Sequence, residues 1–424
     1  MFTLKRNLIK AISAITAILM LCTFAAGCAP TADNKGVLAA TISTATNSVV
    51  TGNSSPGKST TTANASNLAM AAADDASAES TEWFSNRDFV QSADLSDATT
   101  IQLVSGQDVT LTEKGVYVLS GEATDVTIVI EAEDAKVQLV LDNVRITNAD
   151  SPAIYVKSAD KVFVTTTDSE NELTVTGSFV ADGDTNLDAV IFAKSDLTLN
   201  GVGALEILSS KGNGVSTKDD LKITGGTFTI QAAADALEAN DAILIGGGHL
   251  TIEAGKDALH SEHDEDASLG YIYIQNGTLQ ISAADDAIRG NSFVQIDGGK
   301  IDITTCTEGF EANRIQVNGG EITLYAKDDG FNATAKVNAE MLIELNDGTI
   351  RVQMGSGDTD AFDSNGNIII NGGTITVEGG SAFDADGAAV LNAGDVTVNG
   401  VKVTQITSLQ GGPGGGMGGG KVRR

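Results

Sequence analysis

The feature of this sequence that most constrains its fold is a repeat. The segment ITGGTFTIQAAADALEAND (223–241) returns 22 positions later as IGGGHLTIEAGKDALHSEHD (245–264). Each copy contains a glycine turn, a run in which apolar and polar residues alternate, and an acidic residue followed by a small and then an apolar residue. The alternation is typical of a half-buried strand. Its recurrence at a fixed period indicates a chain built from stacked structural repeats.

The acidic corner recurs along the second half of the chain. Successive corners are separated by 22, 22, 29, 22, 21, 31 and 21 residues. This period predicts an all-β fold, a right-handed parallel β-helix over residues 82–408, with coils of about 22 residues stacked about 4.8 Å apart. The two long spacings predict loop insertions at 260–270 and around 332–341. The aligned corner residues are Asn213, Asp235, Asp257, Asp286, Glu308, Asp329, Asp360 and Ser381.

Glycine pairs and an apolar row favour the same fold. Pairs such as Gly225-Gly226 and Gly319-Gly320 occur once per coil, where a tight bend requires positive φ. A leucine-rich repeat has a similar period, but its leucines and its asparagine ladder are not recognisable here. The second residue after each corner is apolar and is predicted to point inward, with stacking on sugar as the alternative. This row is Val215, Leu237, Leu259, Ile288, Phe310, Phe331, Phe362 and Phe383.

The charge balance restricts the class of partner. The 424 residues include 56 Asp and Glu against 26 Lys and Arg, a formal net charge of −30. Nucleic acid is excluded as a partner because phosphate binding requires a cationic face. A strongly acidic surface favours multivalent cations instead.

Both ends of the chain differ in composition from the repeats. Residues 1–27 combine early cations, an apolar run and small residues, which predicts a lipoprotein-type signal peptide with Cys28 as the lipidated residue. Cleavage without lipidation and an uncleaved anchor are the alternatives. We expect an extracellular bacterial lipoprotein that contacts the membrane through this anchor only, with a flexible Ser/Thr/Ala-rich tether over 28–81 and a Gly-rich tail over 409–424. Cys306 is the single cysteine beyond the signal region, so no internal disulfide is expected there.

The corner acids predict bound Ca²⁺. Stacked coils bring carboxylates within several ångströms of each other, and Ca²⁺, which takes six to eight oxygen ligands, offsets their repulsion. The alternative is that each acid hydrogen-bonds its own turn. His260 and His263 suggest a transition-metal site or, more simply, an exposed polar insertion. The predicted Ca²⁺ ligands are Asp235, Glu238, Asp257, Asp285, Asp286, Glu308 and Glu311, with Asp328, Asp329, Asp360 and Asp363 as a second group.

The units DALEAND, DAIRGNS, EGFEANR and DGFNAT resemble a family of secreted bacterial carbohydrate-binding β-helix proteins of clostridial type, similar in fold to family 9 pectate lyases. The resemblance spans 82–408. It implies binding of cellulose and polygalacturonate, with Ca²⁺ at the coil corners. Cellulose is usually bound by rows of exposed aromatic rings, whereas this chain has one Trp and five Tyr. Trp83 is predicted to cap the open end of the helix rather than to form a sugar platform.

Three functions are consistent with these features. The first is a non-catalytic cell-surface protein that binds an acidic plant polysaccharide, polygalacturonate, and/or cellulose through Ca²⁺. The second is a Ca²⁺-dependent polysaccharide lyase, which needs a Lys or Arg base beside the cation. The candidate bases are Lys256, Arg289 and Lys327, each of which is also a plausible salt-bridge partner of the nearby acids. The third is a structural adhesin that binds no saccharide.

Overall fold

The predicted all-β class is confirmed. The computed structural model describes residues 83–357 and 359–406, which contain one short 3-10 helix, η1 (Asn86–Phe89), and 34 strands in two sheets. No helix among these residues has the length and apolarity needed to cross a membrane. The predicted signal peptide, Cys28, the tether and the Gly-rich tail lie outside the described residues.

The smaller sheet carries the acidic corners. It has twelve short strands in chain order, each paired in parallel with the next. Their bounds are β2 (Val109–Leu111), β4 (Ile128–Glu131), β6 (Ile154–Ser158), β9 (Ala189–Ala193), β12 (Asn213–Thr217), β14 (Leu237–Ala239), β16 (Leu259–Ser261), β19 (Ile288–Gly290), β22 (Phe310–Ala312), β25 (Phe331–Ala333), β28 (Asp360–Ser364) and β31 (Ser381–Ala385).

The larger sheet has 22 strands, parallel except for the final pair β33 and β34. Its strands are β1 (Thr99–Gln102), β3 (Gly115–Thr124), β5 (Lys136–Asn148), β7 (Lys161–Thr166), β8 (Glu170–Val175), β10 (Asp196–Gly201), β11 (Ala204–Ser209), β13 (Asp220–Ala232), β15 (Ala242–Ala254), β17 (Tyr271–Ile274), β18 (Thr278–Ala283), β20 (Phe293–Ile296), β21 (Lys300–Cys306), β23 (Arg314–Val317), β24 (Glu321–Ala326), β26 (Leu342–Leu345), β27 (Thr349–Met354), β29 (Asn367–Ile370), β30 (Thr374–Glu378), β32 (Ala389–Leu391), β33 (Asp395–Val398) and β34 (Val401–Val403).

The alignment of corners made from the sequence is confirmed by the strand register. The apolar row from Val215 to Phe383 forms consecutive Cα pairs through the smaller sheet. Its side chains lie in the main hydrophobic core. Rings of adjacent repeats are stacked, with centroids 4.5 Å apart for Phe310 and Phe331 and 4.9 Å for Phe331 and Phe362. These phenylalanines are fully buried, so they pack the core and present no ring to a sugar.

Glycine turns divide each repeat of the larger sheet. The long strand β13 pairs with β10 before Gly226 and with β11 after it, and the register shifts between the two parts. Gly226 has φ 85° and Gly248 has φ 100°. A Cβ at Gly248 would lie 3.2 Å from the carbonyl oxygens of Gly225 and Gly226, so stacked turns leave no room for a side chain.

The two long spacings contain insertions. Residues 262–270 separate β16 from β17, and residues 334–341 separate β25 from β26, both close to the predicted positions. The longer spacing also contains extra residues between β27 and β28, which the sequence did not suggest. The insertions therefore leave the paired strands in register on either side.

An asparagine ladder is present, contrary to the sequence-based prediction. Asn346 Nδ2 donates to Asn318 Oδ1, Asn371 Nδ2 to Asn346 Oδ1 and Asn392 Nδ2 to Asn371 Oδ1, each at 2.8 Å. Each of these residues directly follows a strand of the larger sheet. The ladder is not evident in the sequence because it lacks the leucines of a leucine-rich repeat and lies instead between parallel strands of the larger sheet.

Trp83 does not cap the end of the repeats, so that prediction is wrong. Residues 83–91, here called the N-terminal strap, lie across the outer face of the larger sheet. The Trp83 ring packs on Tyr271 and Tyr273 of β17, with centroids 5.3 and 5.0 Å away. Asp88 is fully buried in an ion pair with Lys161 of β7. The strap thus joins repeats that are far apart in sequence.

Candidate metal centre at the acidic corners

Each corner acid is positioned two residues before an inward apolar side chain of the smaller sheet. Alternation along the strand places the residue after that apolar side chain outward again. The register aligns these outward residues in one row. The row, here called the outer row, is Ser216, Glu238, His260, Arg289, Glu311, Asn332, Asp363 and Asp384.

The corner acids bind the backbone of the following repeat rather than their own turn. Asp257 N donates to Asp235 Oδ1 at 3.1 Å, Asp286 N to Asp257 Oδ1 at 2.9 Å and Glu308 N to Asp286 Oδ1 at 3.3 Å. The same bond joins Asp360 N to Asp329 Oδ1 at 2.9 Å. This ladder of hydrogen bonds uses Oδ1 of each aspartate, and Oδ2 takes no part in it.

Three acidic clusters lie along this edge. In each, one ligand atom per residue lies within 4.8 Å of the others. Six of the seven residues predicted as the first ligand group belong to them, whereas Glu238 does not. Its Oε2 accepts hydrogen bonds from Asn213 Nδ2 at 2.7 Å and Ser216 Oγ at 2.8 Å. The clusters are Asp235, Asp257 and His260; Asp257, Asp285 and Asp286; and Asp286, Glu308 and Glu311.

The acids of the first cluster lie close to a histidine and an arginine. His260 Nδ1 lies 3.2 Å from Asp235 Oδ2 and 3.8 Å from Asp257 Oδ2. A terminal nitrogen of Arg289 lies 3.5 Å from Asp257 Oδ2. The Asp235 pKa is lowered, because the hydrogen bond and charge of His260 outweigh the opposing effect of burial. His260, for which the sequence suggests a transition-metal site or an exposed insertion, lies in the outer row beside these acids; burial lowers its pKa, but Asp235 and Asp257 outweigh burial, so that the pKa is raised overall.

In the third cluster, Asp286 and Glu308 differ from Glu311, which pairs with Arg289 and Lys336. Burial, followed by the negative charges of Glu308, Asp257 and Glu311, raises the pKa of Asp286 to about 8. Burial and the charge of Glu311 raise the pKa of Glu308 to about 7. Neither residue forms an ion pair with a side chain among the described residues. Negative charge on Asp286 and Glu308 is therefore costly in this structure.

The chemistry of the surrounding oxygens fits a hard cation. Asn332 Nδ2 donates to Glu308 Oε2 at 2.9 Å, while Asn332 Oδ1 is buried without a hydrogen-bond partner. That neutral oxygen and the carboxylates match the preference of Ca²⁺ for oxygen ligands. The corner carbonyls already accept backbone hydrogen bonds, as from Ala258 N to Asp286 O and from Ala287 N to Glu308 O. Side chains are thus the main protein ligands available.

The second predicted group is more dispersed. Among the described residues, Asp328, Asp329, Asp360 and Asp363 form no cluster of three ligand atoms within 4.8 Å. Burial, with the charges of neighbouring acids, raises the pKa of Asp329 and of Asp363 to about 6. The prediction of a second site stays open, and its members are held less closely than those of the first group.

The candidate bases are placed differently from one another. Lys256 and Lys327 are exposed. Arg289 Nε lies 3.2 Å from Glu311 Oε2, but its N–H is not directed at that oxygen, so the contact is an ion pair without a hydrogen bond. Burial lowers the Arg289 pKa, but Glu311, Asp257 and Asp286 outweigh it, so that the pKa is raised overall. His263 is occupied in its loop, where Nδ1 accepts from Asp266 N at 2.9 Å.

Two features of the charge distribution were missed in the sequence. Lys336, in the insertion 334–341, places Nζ 2.6 Å from Glu311 Oε1. On the larger sheet, Asp196, Asp219 and Asp220 form a fourth cluster, and burial with the charges of Asp220 and Asp219 raises the Asp196 pKa to about 7. Lys336 lies in an insertion that does not follow the repeat, and Asp196 is a full repeat away from the other two acids. No local sequence pattern therefore indicates either feature.

A family model described as carbohydrate-binding domain-containing protein matches residues 105–361. The chain belongs to this family. A carbohydrate-binding domain-containing protein of Acetivibrio thermocellus is 36% identical over 133 residues, which make up 30% of this chain and 46% of that relative. The match thus spans less than half the length of the relative.

One solved structure is also similar to the chain. It is described as a polysaccharide lyase-like protein from C. thermocellum, in a gadolinium derivative, and has 31% sequence identity and a TM-score of 0.44. The match covers 52% of this chain and 92% of that structure.

Proposed function

We propose that this chain is a non-catalytic, cell-surface carbohydrate-binding protein that holds Ca²⁺ at its acidic corners. Its ligand is an acidic plant polysaccharide such as polygalacturonate, and/or cellulose. Membership of the carbohydrate-binding domain-containing family supports a polysaccharide partner. We further propose that the repeats form a right-handed parallel β-helix, a fold supported by the parallel pairing of each strand with its equivalent in the next repeat.

The observation that carries the Ca²⁺ proposal is the cluster of Asp286, Glu308 and Glu311 beside the unpartnered oxygen of Asn332. A bound Ca²⁺ would supply the positive charge that Asp286 and Glu308 lack among the described residues. Because the protein offers few ligands beyond these side chains, water and sugar oxygens would complete the six to eight that Ca²⁺ takes. The carboxylates of Asp286, Glu308 and Glu311 would hold the ion, which would bind the sugar through its remaining ligand positions.

The charge of the protein favours an ion-bridged acidic ligand. A protein with formal charge −30 repels a polyuronate unless a cation lies between them. Cellulose is less well supported by the described residues, because Trp83 packs against Tyr271 and Tyr273 and does not form part of an exposed aromatic row. Anchoring of the chain to the cell surface through Cys28 is part of this proposal and rests on the sequence.

The lyase alternative is favoured by one observation, the position of Arg289 between two acidic clusters. A base must lose its proton at working pH, whereas Asp257 and Glu311 stabilise the charged guanidinium. Lys256 and Lys327 are exposed to solvent. Binding without catalysis therefore agrees better with these side chains.

A pull-down tests the proposal. Protein expressed without residues 1–28 is stripped with a chelator and mixed with insoluble polygalacturonate or cellulose, with and without Ca²⁺, while absorbance of unsaturated products is followed. We expect Ca²⁺-dependent retention without new absorbance. Asp286→Asn should abolish retention, whereas Asp264→Asn, in the exposed loop 262–270, is a matched control that should not. Rising absorbance would identify a lyase, and no retention on either polymer would leave the adhesin.

A further inference from the structure

Glu311 is bound by two cationic side chains at once. Lys336 Nζ lies 2.6 Å from Oε1, and Arg289 Nε lies 3.2 Å from Oε2. The Glu311 side chain is 9% exposed, whereas those of Lys336 and Arg289 are 22% and 27% exposed. Both oxygens of a carboxylate in the candidate Ca²⁺ cluster are therefore already paired with positive charge.

The two cations reach Glu311 in different ways. Arg289 belongs to strand β19 and is held in the outer row by the register. Lys336 comes from the insertion 334–341. That insertion is attached independently of the lysine, since Val337 N donates to Asn313 Oδ1 at 3.3 Å and Asn313 Nδ2 donates to Glu340 O at 2.9 Å. Asn313 is fully buried. The ammonium group can therefore leave Glu311 while the loop stays in place.

A Ca²⁺ ion and an ammonium group compete for the same carboxylate. Two positive charges near one acid repel each other, and the lysine, on a flexible four-carbon stem, is the group that moves. We infer that Lys336 is a built-in counter-cation of the candidate Ca²⁺ site: it pairs with Glu311 when the ion is absent and is released when the ion binds. This inference rests on the proposed Ca²⁺ site and adds its regulation.

The proposed ligand offers a carboxylate with which the released Lys336 ammonium can pair. A uronate carboxylate that coordinates the ion lies beside the outer row, where a partly exposed lysine on a fixed loop can pair with it. Lys336 then selects an acidic polysaccharide over a neutral one, because cellulose carries no carboxylate to accept the charge. By linkage, ion binding and uronate binding favour each other through the same side chain.

Calorimetric Ca²⁺ titration of Lys336→Met, followed by the polygalacturonate pull-down, tests this inference. Removing the counter-cation should increase Ca²⁺ affinity on the order of tenfold, within the usual range of site coupling. It should also weaken Ca²⁺-dependent retention on polygalacturonate while leaving retention on cellulose unchanged. Lys336→Arg keeps the charge and should behave like the natural protein. Lys300→Met is the matched control, because Lys300 pairs with exposed Glu321 on the larger sheet at 3.6 Å.

The outcomes separate this inference from the function on which it rests. If neither the natural protein nor Lys336→Met binds Ca²⁺, the Ca²⁺ site itself is wrong. Ca²⁺ binding by the natural protein with equal affinity in Lys336→Met overturns the counter-cation. Tighter Ca²⁺ binding together with unchanged polygalacturonate retention overturns the transfer of the lysine to the uronate. A thermal unfolding midpoint equal to that of the natural protein establishes that Lys336→Met is folded.

Discussion

Two ladders of side chains join successive repeats, and they differ in charge. On the larger sheet, Asn318, Asn346 and Asn371 are linked amide to amide. On the smaller sheet, carboxylates such as Asp257 and Asp286 accept backbone N–H groups from the next repeat. An amide both donates and accepts, so a ladder of amides satisfies itself, whereas a carboxylate only accepts.

The comparison of the amide ladder with the carboxylate ladder shows which part of the corner acids is needed to join the repeats. Stacking repeats requires a polar side chain at a turn, and asparagine meets that need without charge. The corner acids form the same kind of bond between repeats. At the corner of Asn213 an amide does so, since Asn213 Oδ1 accepts from Asp235 N at 3.0 Å. Amides would therefore suffice at the corners. The hydrogen bond between repeats therefore does not itself require the negative charge of the corner acids, which the proposed cation site would use.

The largest effect should appear when pH is varied without Ca²⁺. Several carboxyls have a pKa raised above the value in an unfolded chain, so the folded protein holds more protons, and stability falls as pH rises through these values. The midpoint of thermal unfolding in chelator should fall between pH 5 and about 8.5, and Ca²⁺ should reduce the fall because it binds the deprotonated groups. A constant or rising midpoint would contradict this. The groups are Asp188, Asp329 and Asp363 at about 6, Asp196 and Glu308 at about 7 and Asp286 at about 8.

The next effect concerns the acidic ladder alone. Asp286→Asn preserves an acceptor for Glu308 N but removes the charge shared by two clusters. We expect Ca²⁺ affinity to fall on the order of a hundredfold, about 2.7 kcal/mol, and the Ca²⁺-free protein to become more stable at pH 8. Calorimetric titration and thermal unfolding measure the two effects. An unchanged affinity would remove Asp286 from the site.

The reciprocal change tests the neutral ladder. Asn346→Asp retains the oxygen that accepts from Asn371 but loses the donor to Asn318 Oδ1 and places a negative charge beside it. Denaturant unfolding should show a loss of about 1–2 kcal/mol, with Ca²⁺ affinity unaltered. If Asn346→Asp left stability intact, the distinction between the two ladders would have no energetic basis.

The smallest effect on Ca²⁺ affinity should come from Asp257, which lies beside His260 and Arg289. Asp257→Asn removes a charge that His260 and Arg289 already oppose. We expect Ca²⁺ affinity to change by less than about threefold, below 0.7 kcal/mol, in the same titration used for Asp286. A loss as large as that of Asp286→Asn would place the ion between Asp257, Asp285 and Asp286 instead.

The sequence predicted the second half of the fold well and the first half poorly. From Asn213 to Ser381 the corner motif contains a polar residue, an acid at six of the eight corners, followed by a small and an apolar residue, so period and register could be counted. Before Asn213, strands such as β4 and β6 pair in the same way without that motif. In that half, Ile154 of β6 pairs with Ile191 of β9. This separation along the sequence is much longer than one repeat, so no period could be recognised.

Contacts that depend on packing across the sheet were not predictable from local pattern. Trp83 and Asp88 precede the first strand in sequence, yet they contact β17 and β7. Lys336 lies in an insertion, where periodicity gives no position. The clusters around Asp286 were predicted because stacking repeats brings equivalent residues together, which is the one long-range contact that a period does specify.

The N-terminal strap determines how the protein responds to tension. A pull applied to the chain before Trp83 is transmitted first to Tyr271 and Tyr273, in the middle of the repeats, and not to the edge strand β1. The strap must peel away across successive repeats, breaking the Asp88 and Lys161 pair, before any strand is loaded. As long as the strap stays attached, a force on the N-terminal side does not reach the edge strand β1, from which the sheet could otherwise be pulled apart strand by strand.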